Sequence, residues 1–153
     1  DEDVRRVTAH TGKPADEIAA FYPPSEIEWG LDNPGWIKLD DGWHIMGLIR
    51  KEDGCQFLGE DDLCGIYEHR PVACRWYPFD VEFDEDNELS LLGVNDSVEC
   101  PYELDGNDYK KKEIKALVEW EDREEQPYFK QVDKWNKRKK KGNAAKFLAY
   151  LDL

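Results

Sequence analysis

The sequence predicts an α+β fold, in which a small antiparallel sheet of hairpins combines with short helices and a C-terminal helical extension. Three observations lead to this prediction. A length of 153 residues with 40% hydrophobic composition suits one domain, or one domain with a short appendage. Residues 36–49 and 79–91 have strand-type sequences around polar turns. Residues 1–24 and 107–153 show helical spacing with helix-bounding prolines.

Two short helices are predicted at the start of the chain. Val4 and Val7 lie three residues apart, as on one helical face, and His10 is expected near the end of this helix. Residues 14–21 are predicted as the second helix. Pro14 suits its first turn, and Pro23 follows its end.

Two hairpins are predicted from strand patterns that flank short polar turns. Residues 36–39 and 43–49 form the first, and Asp41-Gly42 supplies the positive φ values of its turn. Residues 79–83 and 89–91 form the other. These hairpins supply most of the predicted sheet.

A third hairpin is predicted around the first two cysteines. Residues 55–58 and 63–67 flank a four-residue polar connection. With Leu58 opposite Leu63, strand alternation puts four side chains on one face. These are Cys55, Phe57, Cys64 and Ile66. Two thiols on one face can meet the same inorganic centre.

Three helical segments are predicted after residue 107. Asn107 suits the cap of the first, and Pro127 suits the start of the second. Their apolar positions are Ile114, Leu117 and Val118, then Tyr128, Val132 and Trp135, and finally Phe147, Leu148 and Leu151. The basic residues 137–141 are typical of a solvated helix end beside the negative end of the helix dipole. Docking of this run onto the acidic body or onto a phosphate-bearing partner stays open.

Charge is distributed unevenly along the chain. The 21 Lys and Arg residues against 35 Asp and Glu residues give a formal charge of −14. This balance excludes general nucleic-acid binding, because a polyanion is repelled by most of the surface. Residues 107–153 hold 13 basic and 9 acidic residues, so residues 1–106 hold 8 and 26. We therefore predict a domain at 1–106 and a helical C-terminal extension at 107–153 that packs on it.

Several functional classes find no support in the sequence. No apolar run approaches the roughly 20 residues that cross a bilayer, so we expect no membrane span and a cytoplasmic location. The chain has no glycine-rich phosphate loop, no G-x-S-x-G elbow and no H-E-x-x-H pair. No catalytic residue is predicted.

Three interpretations are open for Cys55, Cys64, Cys74 and Cys100. They could form two disulfides, lie apart as buried thiols, or bind a metal. Domains that depend on disulfides are usually smaller and denser in cysteine than this one. The chain contains no C-x-x-C knuckle, so the spacing alone does not decide for a metal.

The surroundings of Cys74 are more informative. Pro71 suits the first position of a helix and Pro78 would stop it, so Cys74 is predicted on a short helix bounded at both ends. Arg70 and Arg75 flank Cys74, and cations there would offset the charge of a multi-thiolate site.

These residues resemble a known family. The string Cys55-x-Phe57-Leu58 followed by Cys64-x-Ile66-Tyr67-Glu68-x-Arg70-Pro71-x-x-Cys74-Arg75-x-Tyr77-Pro78-Phe79 is similar to the second half of the YkgJ-type cysteine-cluster motif. That family is described as a zinc- or iron-chelating domain and is related to flagellin lysine N-methylase. The resemblance is strong over residues 55–79 and loose over residues 1–100.

The family has a first cysteine cluster, patterned C-x-x-x-C-x-x-C-C, that this sequence lacks. In the family that cluster ends where Asp1 stands here. Either the natural protein carries the cluster upstream, which we expect, or this member has a single site.

The resemblance implies a metal centre that stabilises the fold. Cys55, Cys64 and Cys74 are the expected thiolate ligands, and Cys100 is the expected fourth. Tyr67, His69, Arg70 and Arg75 are expected to surround these ligands. Thiolate sets suit both Zn²⁺ and an iron–sulfur cluster such as a 4Fe–4S centre. We favour iron–sulfur, because widely spaced cysteines can surround a large cluster more easily than they converge on one ion.

Two further functions stay open. The methylase similarity implies a protein lysine N-methyltransferase whose basic protein substrate would be attracted by Asp61, Asp62 and Glu68. Alternatively, a structural zinc module would hold the sheet together while the acidic body and the basic tail contact a protein partner.

Overall fold

The computed structural model describes residues 1–27, 30, 32–52, 54–76, 79–84, 89–94 and 111–153. In chain order its helices and strands are α1 Glu2–Thr11, β1 Ala19–Tyr22, β2 Ile37–Leu39, β3 Gly42–Leu48, β4 Arg50–Lys51, β5 Gly54–Cys55, α2 Ala73–Trp76, β6 Phe79–Phe83, β7 Leu89–Val94, α3 Lys111–Asn136 and α4 Ala144–Tyr150. Helices with small antiparallel sheets confirm the α+β class. Stabilisation of this fold by a metal stays a prediction.

Helix α1 confirms the first helical prediction. The Asp1 carboxylate accepts a hydrogen bond from the Glu2 N–H at the helix start, and Val4 and Val7 are buried. The helix ends at Gly12, whose φ of 71° is left-handed and whose N–H donates to the Thr8 carbonyl.

The predicted second helix over residues 14–21 is wrong. A short 3₁₀ turn, Ala15–Glu17, is followed at once by strand β1. Strand β1 pairs antiparallel with β3, from Ala19 opposite Leu48 to Tyr22 opposite Ile45. Strand β3 supplies backbone partners that only the folded chain provides, and this pairing outweighs the local helical pattern.

The hairpin of β2 and β3 confirms the prediction for residues 36–49. The three-stranded sheet has the order β1-β3-β2. Leu39 pairs with Gly42, so Asp40 and Asp41 form the turn. Of the predicted turn pair, only Gly42 has a positive φ, at 141°. The turn therefore lies one residue earlier than the sequence suggested.

A core of apolar side chains joins β2 to the end of α3 and to α4. We call it the helical core, and it consists of Ile37, Leu39, Val132, Trp135, Phe147 and Leu151. The Trp135 indole N–H donates to the Lys38 carbonyl at 2.9 Å. The Asn136 side chain accepts from the Lys38 N–H at 2.8 Å and donates to the Trp36 carbonyl at 2.7 Å. The helix end is thus fixed to the β2 backbone.

The predicted helix start at Pro127 is wrong, because α3 continues through it. A proline inside a helix is unfavourable by about 3 kcal/mol. Burial of Val132 and Trp135 on the following turns offsets this penalty. The expected cap at Asn107 lies outside the described residues.

The chain divides into two compact units. The first comprises residues 1–71 with 124–153, and the second comprises residues 72–123. The predicted boundary between residues 106 and 107 lies outside the described residues and stays a prediction. Within the described part of the chain, no helix combines the length and the apolar character needed to cross a membrane.

The second unit contains α2 and the hairpin of β6 and β7. Phe79 pairs with Val94 and Phe83 with Leu89, with an irregularity between Glu82 and Phe83. This confirms the hairpin predicted over residues 79–91, although its return strand is longer than expected.

Candidate metal centre

Cys55 lies at the end of a small hairpin that the sequence did not predict. Strand β5 pairs with β4, with Cys55 opposite Arg50. Gly54 supports the turn with a φ of 119°. The Cys55 side chain is exposed, and its Sγ accepts the Phe57 N–H at 3.5 Å. Its environment therefore leaves the sulfur accessible to a ligand.

Cys64 follows a tight loop. It forms an isolated antiparallel bridge with Leu58, and the Gly65 N–H donates to the Phe57 carbonyl at 2.8 Å. The predicted register, with Leu58 opposite Leu63, is wrong by one residue. Asp62 has a left-handed φ of 60° and adds a residue to the loop, which moves Cys64 opposite Leu58.

The corrected register still keeps the two cysteines near each other. Cys55 starts a turn that the Leu58 N–H closes onto the Cys55 carbonyl at 3.1 Å. Turn ends lie within about 7 Å and bridged residues about 5 Å apart, so the two Cα atoms lie within about 12 Å. The predicted shared face for Cys55, Phe57, Cys64 and Ile66 does not form as a ladder, because the ribbon is a single bridge.

The two thiols differ in their support. Cys64 is half-buried and packs against a cluster that includes Val7, Ile18 and Ile66. Cys55 is exposed on its turn. One sulfur is thus anchored to the body of the first unit, while the other can adjust its position.

Cys74 lies on a short helix, as predicted, although this helix, α2, begins at Ala73 and not at Pro71 and belongs to the second unit. The Arg75 N–H donates to the Val72 carbonyl at 2.8 Å, and Val72 is buried. The Cys74 side chain is exposed. The expected helix stop at Pro78 and the fourth ligand Cys100 lie outside the described residues.

No disulfide joins the three cysteines that the structure describes. Two of the three are exposed, which argues against inert buried thiols. Their chemistry therefore suits a soft metal. Among the described residues, however, no three His, Cys, Asp or Glu side chains form a ready metal-binding group.

The residues expected around the ligands make definite local contacts. The Arg70 guanidinium lies over the Tyr67 ring at 3.8 Å and donates to the Tyr67 carbonyl at 3.0 Å. The His69 ring stacks on the His10 ring with centroids 3.9 Å apart. In the second unit, Arg75 lies over the Trp120 ring at 5.4 Å. Whether these four residues surround a metal stays a prediction.

Two side-chain contacts near the cysteines were not predicted from the sequence. The Arg6 guanidinium donates to the His69 carbonyl at 3.4 Å and to the Arg70 carbonyl at 3.3 Å, which ties α1 to the turn after Cys64. The Lys13 ammonium lies 5.7 Å from the Phe57 ring centroid. No local motif marks either residue, since both act across distant parts of the chain.

The segment around the thiols also exposes apolar side chains. We call residues 54–69 the cysteine segment. Leu58, Leu63 and Tyr67 are 44%, 66% and 58% exposed. Ile66 is buried, and Phe57 and Cys64 pack against the same cluster, whereas turn hydrogen bonds and one bridge hold the rest of the segment. Such a segment gains most from an added constraint.

A comparison with known families agrees with these observations. The sequence model of a family described as "CxxCxxCC: Putative zinc- or iron-chelating domain" matches residues 14–101, which is more than half of the chain. The matched range includes all four cysteines. No curated protein and no solved structure gives a significant match. The methyltransferase hypothesis is not tested by these findings and stays a prediction.

Proposed function

We propose that this chain, which belongs to the CxxCxxCC zinc- or iron-chelating family, binds a metal centre through the thiolates of Cys55, Cys64 and Cys74, with Cys100 as the fourth ligand. The observation that carries the proposal is the pair of thiols in the cysteine segment. The Cα atoms of Cys55 and Cys64 lie within about 12 Å of each other, and both thiols are outside any disulfide and accessible or partly accessible. Cys74 adds an exposed thiol on a short helix.

The chemical types of these side chains suit a metal. Cysteine thiolates are the ligands that zinc and iron–sulfur clusters prefer. Arg70, held over Tyr67, supplies positive charge directly after the cysteine segment, and Arg75 supplies it beside Cys74. Cations of this kind offset the charge of several thiolates.

We prefer an iron–sulfur cluster to zinc. The cysteines are separated by 8, 9 and 25 residues, without the closely spaced pairs of common zinc knuckles. A cluster would supply one-electron chemistry, whereas zinc would act as a structural constraint. In either case the chain's own contribution is to present thiolates from turns and from a short helix.

The test is metal and sulfide analysis of the full chain after anaerobic purification, combined with electron paramagnetic resonance before and after reduction. We expect iron with matching sulfide and a cluster signal. A colourless protein with stoichiometric zinc would reject the iron version. A protein that takes up neither metal would reject the proposal as a whole.

Single substitutions identify the ligands. Cys64→Ser and Cys74→Ser should each lower the bound metal by at least about tenfold, because a hydroxyl is a poor substitute for a thiolate. Asp61→Asn is the matched control in the same loop. Its Oδ1 accepts the Leu63 N–H at 3.2 Å, a bond that Asn retains, so metal content should stay at the parent level.

A further inference from the structure

We propose that an aromatic cleft in the first unit binds a quaternary ammonium group. The cleft has a volume of about 220 Å³. Its lining includes Asn33, Trp36, Trp43, Phe129, Asp133 and Asn136. Pockets that hold a whole drug-sized ligand have volumes of at least roughly 300 Å³. The cleft is smaller, so it suits a compact group such as a quaternary ammonium head group.

The aromatic walls are suited to a cation. Trp43 is 38% exposed, so part of its ring system faces solvent. A cation within about 6 Å of an aromatic face is attracted by the ring quadrupole, most strongly by tryptophan. The Lys38 ammonium already lies 5.4 Å from the Trp43 ring centroid, so a ligand cation must use the other part of the ring surface or displace Lys38. Lys38 itself is not part of the cleft lining.

The amides of the cleft are engaged in holding its walls. Asn136 bonds the Trp36 carbonyl and the Lys38 N–H. The Asn33 Oδ1 accepts the Gly35 N–H at 2.8 Å. The Trp36 indole N–H donates to the Gly30 carbonyl at 2.8 Å. A ligand that needs hydrogen bonds finds these groups occupied, whereas a quaternary ammonium has no N–H and needs none.

Close packing behind the cleft keeps the Phe129 wall in place. Gly35 is buried, and a Cβ added there would lie 3.1 Å from the Asn33 Oδ1 and 3.6 Å from the Phe129 Cε1. The Phe129 ring therefore lies near van der Waals contact with the buried Gly35 backbone, and a side chain there would be tight against Asn33. A rigid wall lowers the entropic penalty of binding.

Asp133 supplies the charge. Of the described residues that line the cleft, it is the charged one. Its Oδ2 pairs with the Lys137 Nζ at 2.7 Å, but the two side chains are 58% and 75% exposed. A solvent-exposed pair of this kind contributes little, so an incoming cation can compete with Lys137. The formal charge of −14 on the chain favours cations further.

The test is a titration of the full chain with tetramethylammonium chloride, followed by calorimetry and tryptophan fluorescence. We expect saturable binding. The neutral isostere 3,3-dimethylbutanol should bind at least about tenfold more weakly than choline, because it keeps the shape but loses the charge. Equal affinity for the two, or no saturable binding of tetramethylammonium, would overturn the proposal.

Variants locate the site. Trp43→Leu should weaken binding about tenfold, and Trp43→Phe should weaken it less. Asp133→Asn should weaken it severalfold, and as an exposed carboxylate it can be changed without unfolding the chain. Asp41→Asn is the matched charge control on the adjacent turn and should leave the affinity unchanged. Parent-like affinity in both Trp43→Leu and Asp133→Asn would contradict the assignment.

A further comparison identifies the molecule that carries the ammonium group. Choline and a peptide with a trimethylated lysine present the same ammonium group on different carriers. Tighter binding of choline indicates a small molecule, and tighter binding of the peptide indicates a modified protein. In either case Trp43→Leu should weaken binding of the tighter ligand, and an unchanged affinity for that ligand would contradict the cleft as the site.

Discussion

The helical core and the cysteine segment belong to the same compact unit, yet they are held together in different ways. Each of the six side chains of the helical core is at most 4% exposed, and the rings of Trp135 and Phe147 meet edge to face at 5.1 Å. The cysteine segment instead exposes Leu63 and Tyr67 and relies on turns.

The difference separates two sources of stability. Buried apolar surface contributes about 25 cal/mol per Å², which suffices where long helices pack on a strand. In the cysteine segment Ile66 is buried, but Leu58, Leu63 and Tyr67 are exposed, and the proposed thiolate–metal bonds would add a second source of order there. Removal of a metal should therefore affect the two regions unequally.

Trp135→Ala should have the largest effect on the free energy of unfolding. It empties a buried site against Phe147 and Tyr150 and removes the hydrogen bond to the Lys38 carbonyl. A loss of about 4 kcal/mol is expected in urea denaturation followed by circular dichroism. Trp43→Ala is the exposed control and should lose about 1 kcal/mol or less. Equal losses in the two variants would remove the basis for the helical core.

Asn136→Ala should have the next largest effect. It leaves both the Trp36 carbonyl and the Lys38 N–H without their side-chain partner. We expect a loss of about 2 kcal/mol in the same denaturation assay. Asn136→Asp keeps the acceptor for the Lys38 N–H but puts a carboxylate oxygen against the Trp36 carbonyl in place of a donor, so it should lose at least as much stability as the alanine variant. Parent-like stability of both variants would contradict the role given to this side chain.

Chelation of the metal should act locally. Amide hydrogen exchange in residues 54–69 should accelerate by about tenfold or more, which corresponds to about 1.4 kcal/mol. Exchange in residues 132–151 should stay unchanged, because apolar burial holds that region. Mass spectrometry of peptides from both regions, with and without chelator, provides the measurement. Uniform acceleration along the chain would show that the two regions do not differ in their dependence on metal.

Tyr128→Phe should have the smallest effect. The Tyr128 hydroxyl is buried and has no hydrogen-bond partner among the described residues, so its removal should stabilise the protein by about 0.5 to 1 kcal/mol at neutral pH. Burial raises the pKa of the Tyr128 phenol above its ordinary value of 10.0, and the Glu125 carboxylate raises that pKa further.

This pKa shift gives the Tyr128 prediction a pH dependence. The unfolded chain loses the phenol proton first, so the parent protein loses stability as pH rises above about 10. Tyr128→Phe should lack this part of the alkaline loss. Parallel pH profiles of stability for the two proteins would contradict the buried environment of the hydroxyl.

Sequence reasoning identified the helical faces because apolar spacing is a strong local signal. Val132, Trp135 and Phe147 were all predicted from it and are all buried. Strand β1 was missed because its partner β3 lies far along the chain and outweighs local preference. Pro127 was read as a helix start because local rules do not include the burial that follows it.

The candidate site was predictable in residue type but not in geometry. The cysteines and their family pattern were visible in the sequence, and the family match agrees with them. The register at Cys64 could not be predicted from the sequence, since it depends on the left-handed backbone of Asp62, which no residue preference specifies strongly. The links from Arg6 to the carbonyls of His69 and Arg70 were equally hidden, because they join residues more than 60 positions apart.

X-ray absorption at the metal edge of the anaerobically purified full chain tests thiolate ligation most directly. Sulfur neighbours should dominate the innermost coordination sphere, at about 2.3 Å if the metal is zinc. Iron–iron scattering should accompany them if the centre is a cluster. Nitrogen and oxygen neighbours alone, at about 2.0 to 2.2 Å, would contradict ligation by Cys55, Cys64 and Cys74.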